Sequence, residues 1–306
     1  MPRAALRGGI ELEYETFGSP DDPALLLIMG FTAQLIAWDD GLCSRLAAGG
    51  HFVIRYDNRD CGLSTCLDGA EVDLMAVINA ALSREPLPPV PYTLSDMAAD
   101  AVGLLDHLRI PRAHVMGASM GGMIAQTVAI EHPARVASLI SIMSMTGEPE
   151  YGAPTPEAMA VLMSTPPIDR ADAIRRDKDT AVFCSRRYFD LALAEQQTAR
   201  AFDRRFYPEG APRQLAAVYA SGPRGDTLPT VTAPTLVLHG LDDTLITPSG
   251  GERTAELVPG ANLLKVADMG HDLPPPLWPL VTGTILGFTA AVGATSATPA
   301  GVAGVA

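Results

Sequence analysis

Cysteine is scarce in this chain: four in 306 residues, Cys43, Cys61, Cys66 and Cys184. The spacing from Cys61 to Cys66 fits neither a CxxC redox pair nor a zinc knuckle, so the four read as isolated thiols. A disulfide framework is not expected in a chain of this size. Positive charge is also scarce, with 22 Lys and Arg against 35 Asp and Glu and a formal net charge of -13. That balance argues against nucleic acid and against anionic membrane surfaces as partners. The N-terminal MPRAALRGG lacks the apolar core of a secretory signal. The apolar runs are of strand length, so no membrane span is expected. Internal repeats are absent. The expectation is a soluble, cytoplasmic protein; nothing in the sequence speaks to its oligomeric state.

What is present is an apolar chain, 47% hydrophobic and 19% charged, long enough for one large α/β domain or a core with an inserted subdomain. ALLLIMG (24–30) is a continuous apolar run ending at glycine and reads as a strand buried on both faces. HFVIRYDNRD (51–60), AHVMG (113–117), VASLISIM (136–143), TLVLHG (235–240) and NLLKVADMG (262–270) read as further strands. LSDMAADAVGLLDHLRI (94–110) and MIAQTVAIEHP (123–133) have helical spacing, the second stopped by proline. Strands alternating with helices predict a mostly parallel, doubly wound sheet. Between residues 144 and 230 the pattern turns helical, as in YFDLALAEQQTARAFDRRFY, and reads as an insertion between two core strands. A second insert, 67–91, reads as irregular and ends in EPLPPVPY. The small-residue tail 291–306, AVGATSATPAGVAGVA, is expected to be disordered.

HVMGASMGGMIAQ (114–126) places Ser119 in G-x-S-x-G between a predicted strand and a predicted helix. This is the nucleophile-elbow pattern. The turn is tight enough to strain the serine, so glycines stand two residues either side, at Gly117 and Gly121. The turn lifts the hydroxyl into the crevice at the carboxyl ends of the strands, where the helix N-terminus favours developing negative charge. A serine nucleophile needs a base, and the base an orienting acid, in the chain order Ser, Asp or Glu, His. His132 reads as a helix-end residue and His239 as a packed second-layer residue. His271, in the loop MGHDLP, is free to reach the serine. HGLDDTLITP offers Asp242 and Asp243 as the acid, and local spacing does not separate them. Backbone amides are the natural oxyanion donors. Met120, after the nucleophile, is one candidate. Phe31, after the Gly30 turn, is the other, and it can also serve as an apolar wall.

LLIMGFTAQLIAW, IRYDNRDCGLST, YTLSDMAADAVGLLDHL, HVMGASMGGMIAQ, PTLVLHGLDD and MGHDLP occur in this order. Together they resemble the α/β-hydrolase superfamily from about residue 9 to residue 288. The likeness is greatest to the serine-nucleophile esterase branch that includes aclacinomycin methyl esterase. The resemblance implies an α/β-hydrolase fold with core segments 1–144 and 231–290 and a helical cap over 145–230. It implies Asp243 rather than Asp242 as the acid, and supports Phe31 as an oxyanion donor. Many relatives carry His-Gly where this chain has Met29-Gly30; that histidine is not catalytic in them. DNRDCGLS resembles the family's D-x-R-x-x-G-x-S, which implies that Asp57 and Arg59 tie loops together near the site. Met145, Phe206, Tyr207 and Tyr219 in the cap would then line an acyl or ring pocket.

The expected reaction is transfer of an acyl group to water through an acyl-enzyme on Ser119, with a small-molecule ester as partner and no metal or organic cofactor. A serine at the elbow argues against epoxide hydrolase and haloalkane dehalogenase chemistry, which uses aspartate there. A lactone is a cyclic ester, so lactonases such as N-acyl-homoserine lactone hydrolases use the same residues. C–C bond hydrolases, perhydrolases and acyltransferases are further variants, and a non-catalytic ligand binder is the competing class.

Overall fold

The computed structural model describes residues 2–296. An eight-stranded sheet runs through it: β1 (Arg3–Ala5), β2 (Glu11–Phe17), β3 (Ala24–Ile28), β4 (Phe52–Tyr56), β5 (Ala113–Ala118), β6 (Val136–Ile142), β7 (Thr235–Gly240) and β8 (Asn262–Val266), in the spatial order β1-β2-β4-β3-β5-β6-β7-β8. β1 pairs with β2, and β2 with β4, antiparallel; every other neighbouring pair is parallel. The expected parallel sheet is therefore present, with an antiparallel edge that the apolar runs did not reveal. β2, ELEYETF, carries three glutamates, and Glu13 and Glu15 pair with Arg3 and Arg55. Charge on β2, the strand next to the sheet edge, hides its period-two pattern.

Helices cover both faces. α3 (Leu94–His107) and α4 (Met120–Glu131) bury Leu104, Ile124 and Val128 against Leu26, Ile28, Val115 and Leu139. On the other face α1 (Asp40–Ala48) and α10 (Trp278–Ser296) pack Leu42, Leu46, Val281 and Ile285 against Leu25, Leu27, Met116, Ile140 and Leu238. Successive residues of β3 divide between the two cores, as strand alternation requires. α9 (Ser249–Leu257) flanks β7. The insert expected to be irregular contains a helix, α2 (Leu74–Ser83), capped by Asp73.

α10 corrects two expectations, that the tail is disordered from residue 291 and that the apolar runs are only of strand length. It runs through Ser296, so residues 291–296 of the expected disordered tail are helical; 297–306 lie outside the described residues. It also belongs to a segment, Pro275–Ala294, long and apolar enough by length and composition to cross a membrane, with mean hydropathy 1.5. The interspersed threonines and glycines disguised this run in the sequence. Its inner face packs on the core described above, which is the behaviour of a flanking helix.

Four helices lie between neighbouring strands β6 and β7: α5 (Pro156–Leu162), α6 (Arg170–Thr180), α7 (Leu191–Arg204) and α8 (Gly210–Ala220). They are fastened to the sheet by buried arginines. Arg204 reaches Asp57 and Gln34, each at 2.7 Å, and Arg213 forms a two-pronged pair with Asp60 at 2.8 Å. Gln34 in turn donates to Ala201 O and Arg205 O at the end of α7. All four cysteines are free thiols.

Candidate active site

Ser119 joins β5 to α4 with φ 57° and ψ -124°, a conformation that side-chain-bearing residues rarely adopt. The surrounding packing leaves no alternative. A Cβ on Gly117 would overlap Gly121 O, and one on Gly121 would overlap Ile28 O. The elbow is held by Ser119 N–H donating to Ile142 O (3.0 Å) and by the Ser144 hydroxyl donating to Ser119 O (2.8 Å). Gly30 approaches the serine so closely that a Cβ there would lie 3.0 Å from Ser119 Cβ and 3.4 Å from Oγ.

The acid and the histidine lie on the loops after β7 and β8. These strands are parallel to β5 and at one side of it, so all three loops leave the same edge of the sheet. Asp243 is 2% exposed, and its Oδ2 lies 2.8 Å from His271 Nδ1. Its Oδ1 accepts from the amides of Leu245 and Ile246, both at 2.9 Å. Burial raises the Asp243 pKa, but His271 and His239 outweigh it and hold the carboxyl below its ordinary value. Asp242, left open by local spacing, faces the Arg186 side of the loop and accepts from Arg186 N–H at 3.3 Å. The structure thus brings Asp243, and not Asp242, to His271.

His239 is fully buried, as a second-layer residue should be. Its Nε2 is 2.8 Å from Ile246 O and 3.5 Å from Asp243 Oδ2, so it braces the turn that carries the acid. His132 closes α4, its N–H donating to Val128 O.

Among the described residues neither the Phe31 N–H nor the Met120 N–H donates to a protein acceptor. Their neighbours are engaged: Ala33 N–H closes a turn on Gly30 O, and Thr32 N–H donates to Gln214 Oε1 at 2.8 Å. Gln214, on α8, also donates to Arg59 O at 2.8 Å. It therefore fixes the Phe31 loop from the inserted helices. Sequence reasoning missed it, because nothing near Gln214 in the chain marks a contact 182 residues away.

Arg59 pairs with Asp100 through Nε (2.6 Å) and Nη2 (2.8 Å), while Asp57 receives Arg204 and the amides of Leu35 and Leu63. Both are loop ties. Of the residues expected to line a pocket, Met145 packs at the margin of the α3–α4 core and Phe206 stacks on Phe202 at 4.5 Å. Tyr219 is half-buried on α8. The Tyr207 hydroxyl is spent on Asp68 and Arg213, both at 2.7 Å. Among the described residues no group of three His, Cys, Asp or Glu is placed to hold a metal ion.

A family model for the alpha/beta hydrolase fold matches residues 23–274. The chain belongs to that family, and it is a hydrolase. It is 29% identical to rhodomycin D methylesterase DauP of Streptomyces sp. (strain C5), over 90% of this chain and 93% of that protein. It is 29% identical to the putative carbamate hydrolase RutD of Variovorax paradoxus (strain S110), over 85% and 89%. Among solved structures, an enol-lactonase from Burkholderia xenovorans LB400 superposes with TM-score 0.71 at 23% identity, covering 94% of this chain and all of that one.

Proposed function

We propose that the protein hydrolyses carboxylic esters through an acyl-enzyme on Ser119. The 2.8 Å Asp243–His271 contact, on loops beside the Ser119 elbow, carries this reading. Asp243 holds the Nδ1 proton and leaves Nε2 of His271 as the base. His271 takes the Ser119 proton as Oγ attacks the ester carbonyl, and the Phe31 and Met120 amides receive the oxyanion. His271 then protonates the leaving alcohol. Water, deprotonated by His271, cleaves the acyl-enzyme and restores the hydroxyl. We take α5–α8 as the cap over this site, with Met145, Phe206, Tyr207 and Tyr219 as its candidate pocket residues. A hydrophobic methyl ester is the substrate class favoured by the end-to-end likeness to methylesterases. The four free thiols fit a cytoplasmic setting.

The test is a panel of p-nitrophenyl acetate to decanoate, aromatic methyl esters and N-acyl-homoserine lactones. Ester turnover above lactone turnover, by kcat/KM, is expected. A preference for lactones would make ring opening the primary reaction. No turnover of any member would favour a ligand binder on the same fold.

A further inference from the structure

The expected cap meets the proposed triad at His271, through both main chain and side chain. His271 N–H donates to Phe183 O at 2.6 Å, and the Phe183 ring stands edge-on to the imidazole, 6.3 Å away at 87°. Ser185 N–H donates to Asp272 Oδ1 at 2.9 Å, an oxygen that also accepts from Gly270 N–H at 3.1 Å. The Ser185 hydroxyl, fully buried, donates to Asp268 O at 2.6 Å. On the acid loop, Thr244 Oγ1 donates to Val182 O at 2.8 Å. Gly270 lies against Cys184 so closely that no Cβ would fit. Four consecutive residues, 182–185, thus contact the loops that carry Asp243 and His271.

The loop from β8 to residue 274 has no regular structure, so its backbone groups depend on partners outside it. From the core side, Asp242 N–H donates to Met269 O at 2.9 Å and Trp278 Nε1 to Leu273 O at 2.8 Å. Asp268 is left-handed at φ 58°, and the chain then turns toward residues 183–185. The His271 backbone amide is held by the cap and not by the sheet.

Building on the Ser119–His271–Asp243 reading, we infer that residues 182–185 are the seat of the catalytic histidine. Ser185 and Asp272 are its positioning residues, and a competent His271 exists only while the cap is docked. Cap opening and loss of the base are then one event. A reactive serine is unmasked only over a closed pocket. Misplacing a catalytic group by about 1 Å can cost about 10²-fold in rate, so a seat of this kind controls kcat and not substrate affinity.

The experiment compares wild type, Ser119→Ala, Asp272→Ala, Asp272→Asn and Ser185→Ala. The readouts are kcat and KM on p-nitrophenyl butyrate, the rate of serine labelling by a fluorophosphonate, and thermal unfolding. Asp272→Ala should lower kcat by about 10- to 10²-fold and slow labelling in parallel, with KM changed by less than about threefold. Asp272→Asn keeps a carbonyl oxygen for both amides and should recover most of the loss. Ser185→Ala should fall between, and it reads the same seat if Asp272→Ala does not fold. Unchanged kcat in Asp272→Ala overturns the inference. So does an Asp272→Asn variant as slow as Asp272→Ala, which would assign the effect to charge, or a loss that only tracks unfolding. A wild type that is not labelled at Ser119 overturns the nucleophile reading itself, and this inference with it.

Discussion

Replacing Asp243 by asparagine exchanges one heavy atom and should nearly abolish activity. Asp243 Oδ1 is committed to the amides of Leu245 and Ile246, so the asparagine oxygen is drawn to that side. The new NH2 then faces His271 at the position of Oδ2, 2.8 Å from Nδ1. An amide donor there forces Nδ1 to accept, which moves the ring proton to Nε2. Nε2 can then no longer take the serine proton. An aspartate-to-asparagine change of this kind lowers kcat by about 10⁴-fold, or roughly 5–6 kcal/mol of barrier. The fold should survive, since both backbone hydrogen bonds remain. Asp242→Asn is the control: that side chain meets only the Arg186 region, so activity should stay within about twofold. The assay is kcat/KM on p-nitrophenyl butyrate at pH 8, with circular dichroism and Tm for both variants. An Asp243→Asn enzyme within about tenfold of wild type, or an Asp242→Asn enzyme as impaired as it, would refute the reasoning.

Two further outcomes follow from charges outside the proposed triad. Arg204→Met strips the guanidinium from Asp57, a fully buried carboxylate whose burial already pushes its pKa up. Breaking such a pair costs about 3–5 kcal/mol, a Tm drop of roughly 5–15 °C, and calorimetry should show part of it restored when Asp57→Asn is added. Asp177 lies between α6 and α7 with Oδ1 accepting from Thr198, and burial pushes its pKa from 3.8 to about 6. A raised carboxyl binds more protons folded than unfolded, so its penalty is absent below pH 4 and complete above pH 6. Asp177→Asn should stabilise the fold at pH 7.5 by about 1–2 kcal/mol after allowing for solvent screening, read as a higher Tm, and leave Tm unchanged near pH 4.

The parts of this protein that depend on neighbouring residues were legible in its sequence. Gly117, Ser119 and Gly121 lie within five positions, and the clash of a Cβ on Gly117 with the Gly121 carbonyl is a local demand. β3, β5, β6 and β7 declare themselves because burial on both faces makes β3 apolar throughout and the others mostly so. Asp242 and Asp243 could not be separated by spacing alone, because adjacent side chains differ only in which way the turn points them. β2 was hidden by its glutamates, and the end of α10 by alanine and glycine that mimic a disordered tail. The docking of the inserted helices was illegible: Arg204 meets Asp57 across 147 residues, and Ser185 meets Asp272 across 87. Each of those residues, read in its own stretch, is an ordinary polar side chain on a helix or loop.

The most direct measurement of the central claim is the mass of the intact protein, and of its tryptic peptides, after a short exposure to p-nitrophenyl acetate and acid quench. The account predicts one acetyl group, on the peptide containing Ser119, absent from Ser119→Ala, which should also hydrolyse none of the ester. Hydrolysis by the wild type with no adduct, an acetyl group on another residue, or full activity in Ser119→Ala would contradict it.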